Sequence, residues 1–107
     1  MAAIRDVTDA SFEKEVLASA KPVLVDFWGD ACPACRQISP ILRDLAEEKG
    51  DEVEIVKMHA AENPVTSGRF GVRAMPTVLL FAGGVVRGQL VGARPKAAFL
   101  DLLAQAR

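Results

Sequence analysis

The run Val23-Leu24-Val25-Asp26-Phe27-Trp28-Gly29-Asp30-Ala31-Cys32-Pro33-Ala34-Cys35 decides how the rest of the chain is read. Its first six residues are β-branched, aliphatic and aromatic with little alternation, which predicts a central strand covered on both faces. Gly29 breaks that strand. From Pro33 to Lys49 the period changes, because Ile38, Ile41, Leu42, Leu45 and Ala46 follow helical spacing and Gly50 stands where a C-cap belongs. Pro40 lies inside this helix. It removes one backbone donor, so a kink is expected rather than an end, since the apolar stripe keeps its phase on both sides.

Working outward, Thr8 or Asp9 can cap a helix through about Ser19 that places Phe12, Val16 and Leu17 on one face and ends at Lys21-Pro22. A short strand fits around Ala3 to Val7. On the other side, Val53 to Met58 reads as a strand, and Asn63-Pro64 as an N-cap followed by proline at the first helical position, with Gly71 closing that helix. Thr77 to Phe81 and Val85 to Val91 are two strands around Gly83-Gly84, the pair a primed hairpin turn favours. Pro95 opens a last helix with Phe99, Leu102, Leu103 and Ala106 facing inward. Strand-helix-strand crossovers make neighbouring strands parallel, and the hairpin adds an antiparallel pair. The expected fold is therefore α/β, a mixed sheet of four to five strands with helices on both faces.

With 107 residues, 50% apolar and 25% charged, the chain has room for one core, so residues 1–107 are expected to form a single domain. Thirteen basic residues against fourteen acidic ones leave a net charge of −1, which argues against nucleic acid as a partner. No stretch approaches the roughly 18 apolar residues of a membrane span. The start, Met-Ala-Ala-Ile-Arg-Asp, lacks the charged and then apolar blocks of a secretory signal. A cytoplasmic protein with no membrane contact is expected, unless a leader has been removed.

Two cysteines are too few for a disulfide scaffold or a self-contained four-ligand zinc site. Their spacing, Cys32-Pro33-Ala34-Cys35, points to chemistry instead. Both follow a central strand and open a helix, the carboxyl-end position where active sites of α/β sheets collect. At a helix N-terminus, free backbone N–H groups and the dipole stabilise the Cys32 thiolate, the attacking species in disulfide exchange. Cys35, one turn on, can attack the mixed disulfide and release the reduced substrate. This needs no cofactor. Two readings compete with it: half of a metal site, for which His59 would bring the intrachain ligands to at most three, and a pair of inert core cysteines. Asp26 also requires explanation, because an unpaired carboxylate buried in an apolar strand costs several kcal/mol or has its pKa forced upward. Alternation puts Leu24, Asp26 and Trp28 on one face, toward the helix carrying Cys35.

Asp26-Phe-Trp28, the C-x-x-C followed by Arg36 and a helix with Pro40, Lys57, Asn63-Pro64, Phe70-Gly-Val-Arg73, Met75-Pro-Thr77, Gly84 and Gly92 together resemble the thioredoxin family over essentially the whole chain. A lowered thiol pKa is a property that family is known for. The resemblance implies a thiol–disulfide oxidoreductase in which Asp26 moves protons to and from the buried thiol through water and Lys57 modulates that acid. It implies a cis-proline at Pro76, although proline before a strand is ordinarily trans. The backbone before Pro76 would hydrogen-bond an extended substrate, with Met75, Trp28, Val91 and Gly92 lining the docking surface. Partners would be disulfide-containing proteins and a thioredoxin-reductase-like electron donor, with the chain acting as a monomer and binding no metal or cofactor. Plainer duties compete residue by residue: a solvent-facing strand end for Lys57, core or turn roles for Met75, Val91 and Gly92, and solvated charges for Arg73 and Arg94.

Several residues depart from the family pattern. Where the commonest motif has Trp before the first cysteine and Gly-Pro between the pair, this chain has Ala31, Pro33 and Ala34. Pro33 removes a backbone donor near Cys32 and Ala34 loosens what a proline would fix, so a different and more oxidising potential is expected. An oxidase or isomerase using the same pair, or a binding subunit that dispenses with the cysteines, are the alternatives. Ala61 stands where the family usually has an acid that accepts from the active-site tryptophan, so Trp28 is expected to be held by packing or by Asp30. His59 is expected at the surface.

Overall fold

The computed structural model describes residues 4–106. Its elements run β1 (Arg5–Asp6), α1 (Glu13–Leu17), β2 (Val23–Trp28), α2 (Pro33–Lys49), β3 (Glu54–His59), α3 (Pro64–Arg69), β4 (Thr77–Ala82), β5 (Val85–Val91) and α4 (Lys96–Leu103), with a closing 3₁₀ turn at Ala104–Ala106. One five-stranded sheet has the order β1-β3-β2-β4-β5. β1 and β2 pair in parallel with β3, whereas β4 runs antiparallel to both β2 and β5. The sheet is mixed, as expected.

The near-continuous apolar run of β2 is explained by its central place, because both of its faces are covered. Val23, Val25 and Phe27 point into a core shared with Val7, Phe12, Val16, Met58 and Phe81 under α1. Leu24, on the opposite face, packs with Ile38, Leu42 and Leu45 of α2 and Phe99 and Leu102 of α4. The same alternation aims Asp26 at α2. It is the one carboxylate in a strand whose first five residues are all buried.

Helix α2 runs unbroken through Pro40. The hairpin turn has φ of 62° at Gly83 and 81° at Gly84, the left-handed pair a two-residue primed turn requires. The short strand expected around residues 3–7 reduces to Arg5–Asp6, and Ala3 lies outside the described residues.

Three local expectations are corrected. The first helix is a single π-type turn, Glu13–Leu17, closed by the Ala18 N–H on the Glu13 carbonyl at 2.9 Å. The wider turn still delivers Phe12, Val16 and Leu17 to the core. Gly50 closes α2 with φ of −58°, so it is not a left-handed cap. Glycine is needed there for space, since a Cβ would lie 2.5 Å from the Ala46 carbonyl oxygen. Asn63 does not cap α3 with its side chain. Asp9 does so from across the molecule, its carboxylate accepting the Val65 and Thr66 N–H groups at 3.1 and 2.9 Å.

Candidate active site

β2 ends at Trp28, and the loop Gly29–Ala31 turns the chain into α2. Ala31 makes that turn with φ of 51°, a left-handed conformation rarely adopted by residues with a Cβ. Cys32 is the N-cap of α2 and Pro33 its first helical residue. The cap bond is made by sulfur: the Cys35 N–H donates to Cys32 Sγ at 3.1 Å. Pro33 lacks an N–H beside Cys32, as expected, but the cap bond survives because caps draw on the second and third helical N–H groups and those belong to Ala34 and Cys35.

Cys32 and Cys35 form a disulfide with Cα atoms 5.2 Å apart. Cys32 is half-buried and Cys35 is 6% exposed. An incoming sulfur therefore has access to Cys32, while Cys35 lies behind it. No cluster of His, Cys, Asp or Glu suited to a metal occurs among the described residues.

Asp26 lies behind the pair, and a cleft of about 370 Å³ is lined by Asp26, Trp28, Cys32, Cys35, Arg36 and Lys57 among others. Burial pushes the Asp26 carboxyl up to about 7, with the positive charge of Lys57 pulling the other way. Lys57 is the Asp26 partner in the parallel β2–β3 register and is half-buried. Asp26 Oδ1 has no hydrogen-bond partner among the described residues.

On the other side of the sulfurs the Met75–Pro76 peptide is cis, as the resemblance implied. The Met75 carbonyl oxygen lies 3.6 Å from Cys32 Sγ. The Gly92 N–H donates to the Pro76 carbonyl at 2.8 Å, and Val91 pairs with Thr77, so β5 brings Val91 and Gly92 to the same rim. Met75 and Val91 are 38% and 45% exposed, so neither serves as core. Met75 also covers Gly29, where a Cβ would stand 3.4 Å from its Cε. Arg73 and Arg94 are exposed charges.

The combination of an accessible capping sulfur, a buried partner sulfur, a buried acid and an exposed apolar rim belongs to disulfide exchange. The sequence matches the thioredoxin family model over residues 3–105. The chain belongs to the thioredoxin family. It is 48% identical to the thioredoxin of Streptomyces clavuligerus over 97 residues, which span 91% of this chain and 90% of that one. It is 47% identical to the thioredoxin of Acidithiobacillus ferridurans over 102 residues, 92% and 94% of the two chains. Thioredoxin 1 of Synechococcus elongatus is 41% identical over 97 residues, 91% of each. The protein is a thiol–disulfide oxidoreductase, a protein-disulfide reductase of the thioredoxin type. No helix among the described residues is long and apolar enough to cross a membrane.

Trp28 differs from the expectation in one respect. Its indole N–H is buried without a partner among the described residues, consistent with alanine at position 61. Asp30 does not supply the missing acceptor; it bonds His59 instead, Nε2 to Oδ2 at 3.1 Å. His59 is not on the surface, being 9% exposed and packed edge-on against Trp28 with ring centroids 4.6 Å apart. Sequence reasoning missed it because a lone histidine carries no pattern. The available clue was its place at the end of β3, one strand over from Trp28.

Proposed function

We propose that this thioredoxin reduces disulfides in other proteins with Cys32 as the nucleophile and Cys35 as the resolving thiol. The Cys32 thiolate attacks one sulfur of the substrate, breaking its S–S bond and forming a mixed disulfide while the other sulfur leaves as a thiolate. Cys35, deprotonated, then attacks Cys32 Sγ. The internal disulfide forms, the second substrate sulfur leaves, and the substrate has gained two electrons and two protons. Asp26 takes the Cys35 proton, a role supported by a carboxyl that titrates at about 7, and the charge of Lys57 tunes that acid. Trp28, Met75, Pro76, Val91 and Gly92 seat an extended substrate segment beside the pair. The observation that carries this reading is the accessible capping sulfur over a buried partner sulfur.

A second reading concerns direction. Pro33 at the first helical position keeps the N–H groups of Ala34 and Cys35, the latter donating to Cys32 Sγ, whereas proline at the second position would remove the Ala34 N–H from the helix start. Extra stabilisation of the thiolate stabilises the reduced form, so Pro33 and Ala34 make the pair more oxidising than the usual Gly-Pro motif. We further propose that residues 1–107 fold as a single domain that acts in the cytoplasm as a monomer, its dithiol restored by a thioredoxin-reductase-like donor.

The decisive experiment replaces the resolving thiol. With Cys35→Ser, insulin disulfide reduction by dithiothreitol falls at least ~100-fold from the wild-type rate. The variant accumulates mixed disulfides through Cys32 that excess reductant releases. Absence of trapped adducts, with biological function retained, would instead identify a binding subunit. Equilibration with glutathione decides direction, and a potential at or below that of an ordinary thioredoxin defeats the second reading.

A further inference from the structure

We infer that His59 and Asp30 form a positioning pair that holds Trp28 and the loop leading to Cys32, in place of the indole acceptor this chain lacks. His59 ends β3, and the backbone is clamped beside it, since the Ala60 N–H donates to the Trp28 carbonyl at 2.9 Å. Both ring nitrogens are used. The Glu62 N–H donates to Nδ1 at 3.2 Å, so the neutral ring carries its proton on Nε2 and donates it to Asp30 Oδ2 at 3.1 Å.

The ring so oriented meets Trp28 edge-on at an interplanar angle of 83°. Asp30 is an otherwise open loop residue, its side chain 86% exposed. It lies next to Ala31, whose φ of 51° must be kept in place for Cys32 to occupy the cap position. A bond from Asp30 to a buried ring on the neighbouring strand ties that loop down. Among the described residues the indole N–H has no partner, so the Trp28 ring is set by its packing, edge-on with His59 and with Lys57 Nζ 5.8 Å from the ring centroid, and the His59 side chain thereby touches both the ring and the loop. His59 is therefore a positioning residue for the known reaction, acting through Trp28 and Asp30.

The test starts from the exposed partner, where truncation leaves the fold intact. Asp30→Ala lowers kcat/KM for insulin reduction about fivefold, the effect of one lost side-chain hydrogen bond, and shifts the emission of Trp28, the only tryptophan. Asp30→Asn keeps an acceptor oxygen for Nε2–H and restores both readouts to within about twofold. His59→Phe keeps an aromatic edge on Trp28 but cannot donate, so it matches Asp30→Ala, and adding Asp30→Ala to it changes nothing further. Three outcomes overturn the inference: Asp30→Ala indistinguishable from wild type, Asp30→Asn as impaired as Asp30→Ala, or an undiminished Asp30→Ala effect in the His59→Phe background. The last would mean that Asp30 acts on substrate directly.

Discussion

Two helices start at the same end of the sheet, α2 after β2 and α3 after β3, and each has proline at its first position. Around α3 the polar groups are matched. Asp9 caps the helix, Asn63 Oδ1 accepts the Asp9 N–H at 2.8 Å, Asn63 Nδ2 donates to the His59 carbonyl at 2.9 Å and Ser67 donates to the Ala60 carbonyl at 2.9 Å. Around α2 the cap is a sulfur that must break and remake a covalent bond. Beneath it, Asp26 Oδ1 and the Trp28 N–H lack partners among the described residues. One helix start spends its hydrogen bonds on stability, and the other leaves groups unmatched where reactivity is needed.

The two aspartates carry this contrast into opposite pH responses. Burial raises Asp26 to about 7 from an ordinary 3.8, so the folded state holds a proton that the unfolded state has lost anywhere between those values. Stability therefore falls as pH rises through 7. Each pH unit in that window is worth about 1.4 kcal/mol, so about 4 kcal/mol separates the two limits. Asp26→Asn removes the titration, making the variant equal to wild type near pH 4 and more stable by about 4 kcal/mol at pH 8 and above. Urea unfolding across that range checks it; parallel curves would show that Asp26 is not held neutral. The same variant slows turnover if Asp26 takes the Cys35 proton, a cost of roughly 10²-fold by analogy with other general bases.

Asp9 is the counterpart of smaller size. Hydrogen bonds from the Thr66 side chain and from the Thr66 and Val65 amides lower its pKa, so its contribution is present above the ordinary carboxylate value and lost as pH falls through the lowered one. Asp9→Ala is expected to lower Tm by a few degrees at pH 7 and by less in strong acid. Insulin reduction at pH 7 stays at the wild-type rate, because α3 carries none of the reacting groups. A loss of activity larger than the loss of stability would break the division of labour between the two helix starts.

The same contrast marks what could be read in the chain. β2, the stripe of α2 and the Gly83-Gly84 hairpin are local patterns of period and turn chemistry, and all three form as their residues dictate. The reactive pair was legible too, because two cysteines at that spacing after a strand have few other uses. Asn63 misled because cap propensity is local, whereas the cap arrived from Asp9, more than fifty residues away. His59 misled for the same reason: its partners Asp30 and Trp28 lie about thirty residues back and meet it only through the parallel β2–β3 register. Pairings between strands and loops depend on the fold as a whole and have no periodic trace.

The smallest effect tests whether the α2 start also stores backbone strain. Where α3 gives way to its loop, Gly71 takes a φ of 67° at no steric cost, but the turn into α2 gives φ of 51° to Ala31. A left-handed conformation costs a residue with a Cβ roughly 1–2 kcal/mol, and glycine recovers that while losing roughly 0.4–1 kcal/mol through its freer unfolded chain. Ala31→Gly should therefore stabilise the protein by about 0.5 kcal/mol, read as a small rise in the urea midpoint at unchanged m-value. Ala31→Val, β-branched at the same φ, should move the midpoint the other way and by more. A glycine variant with a lower midpoint would mean that the loop before Cys32 is unstrained and that the two helix starts differ only in their side chains.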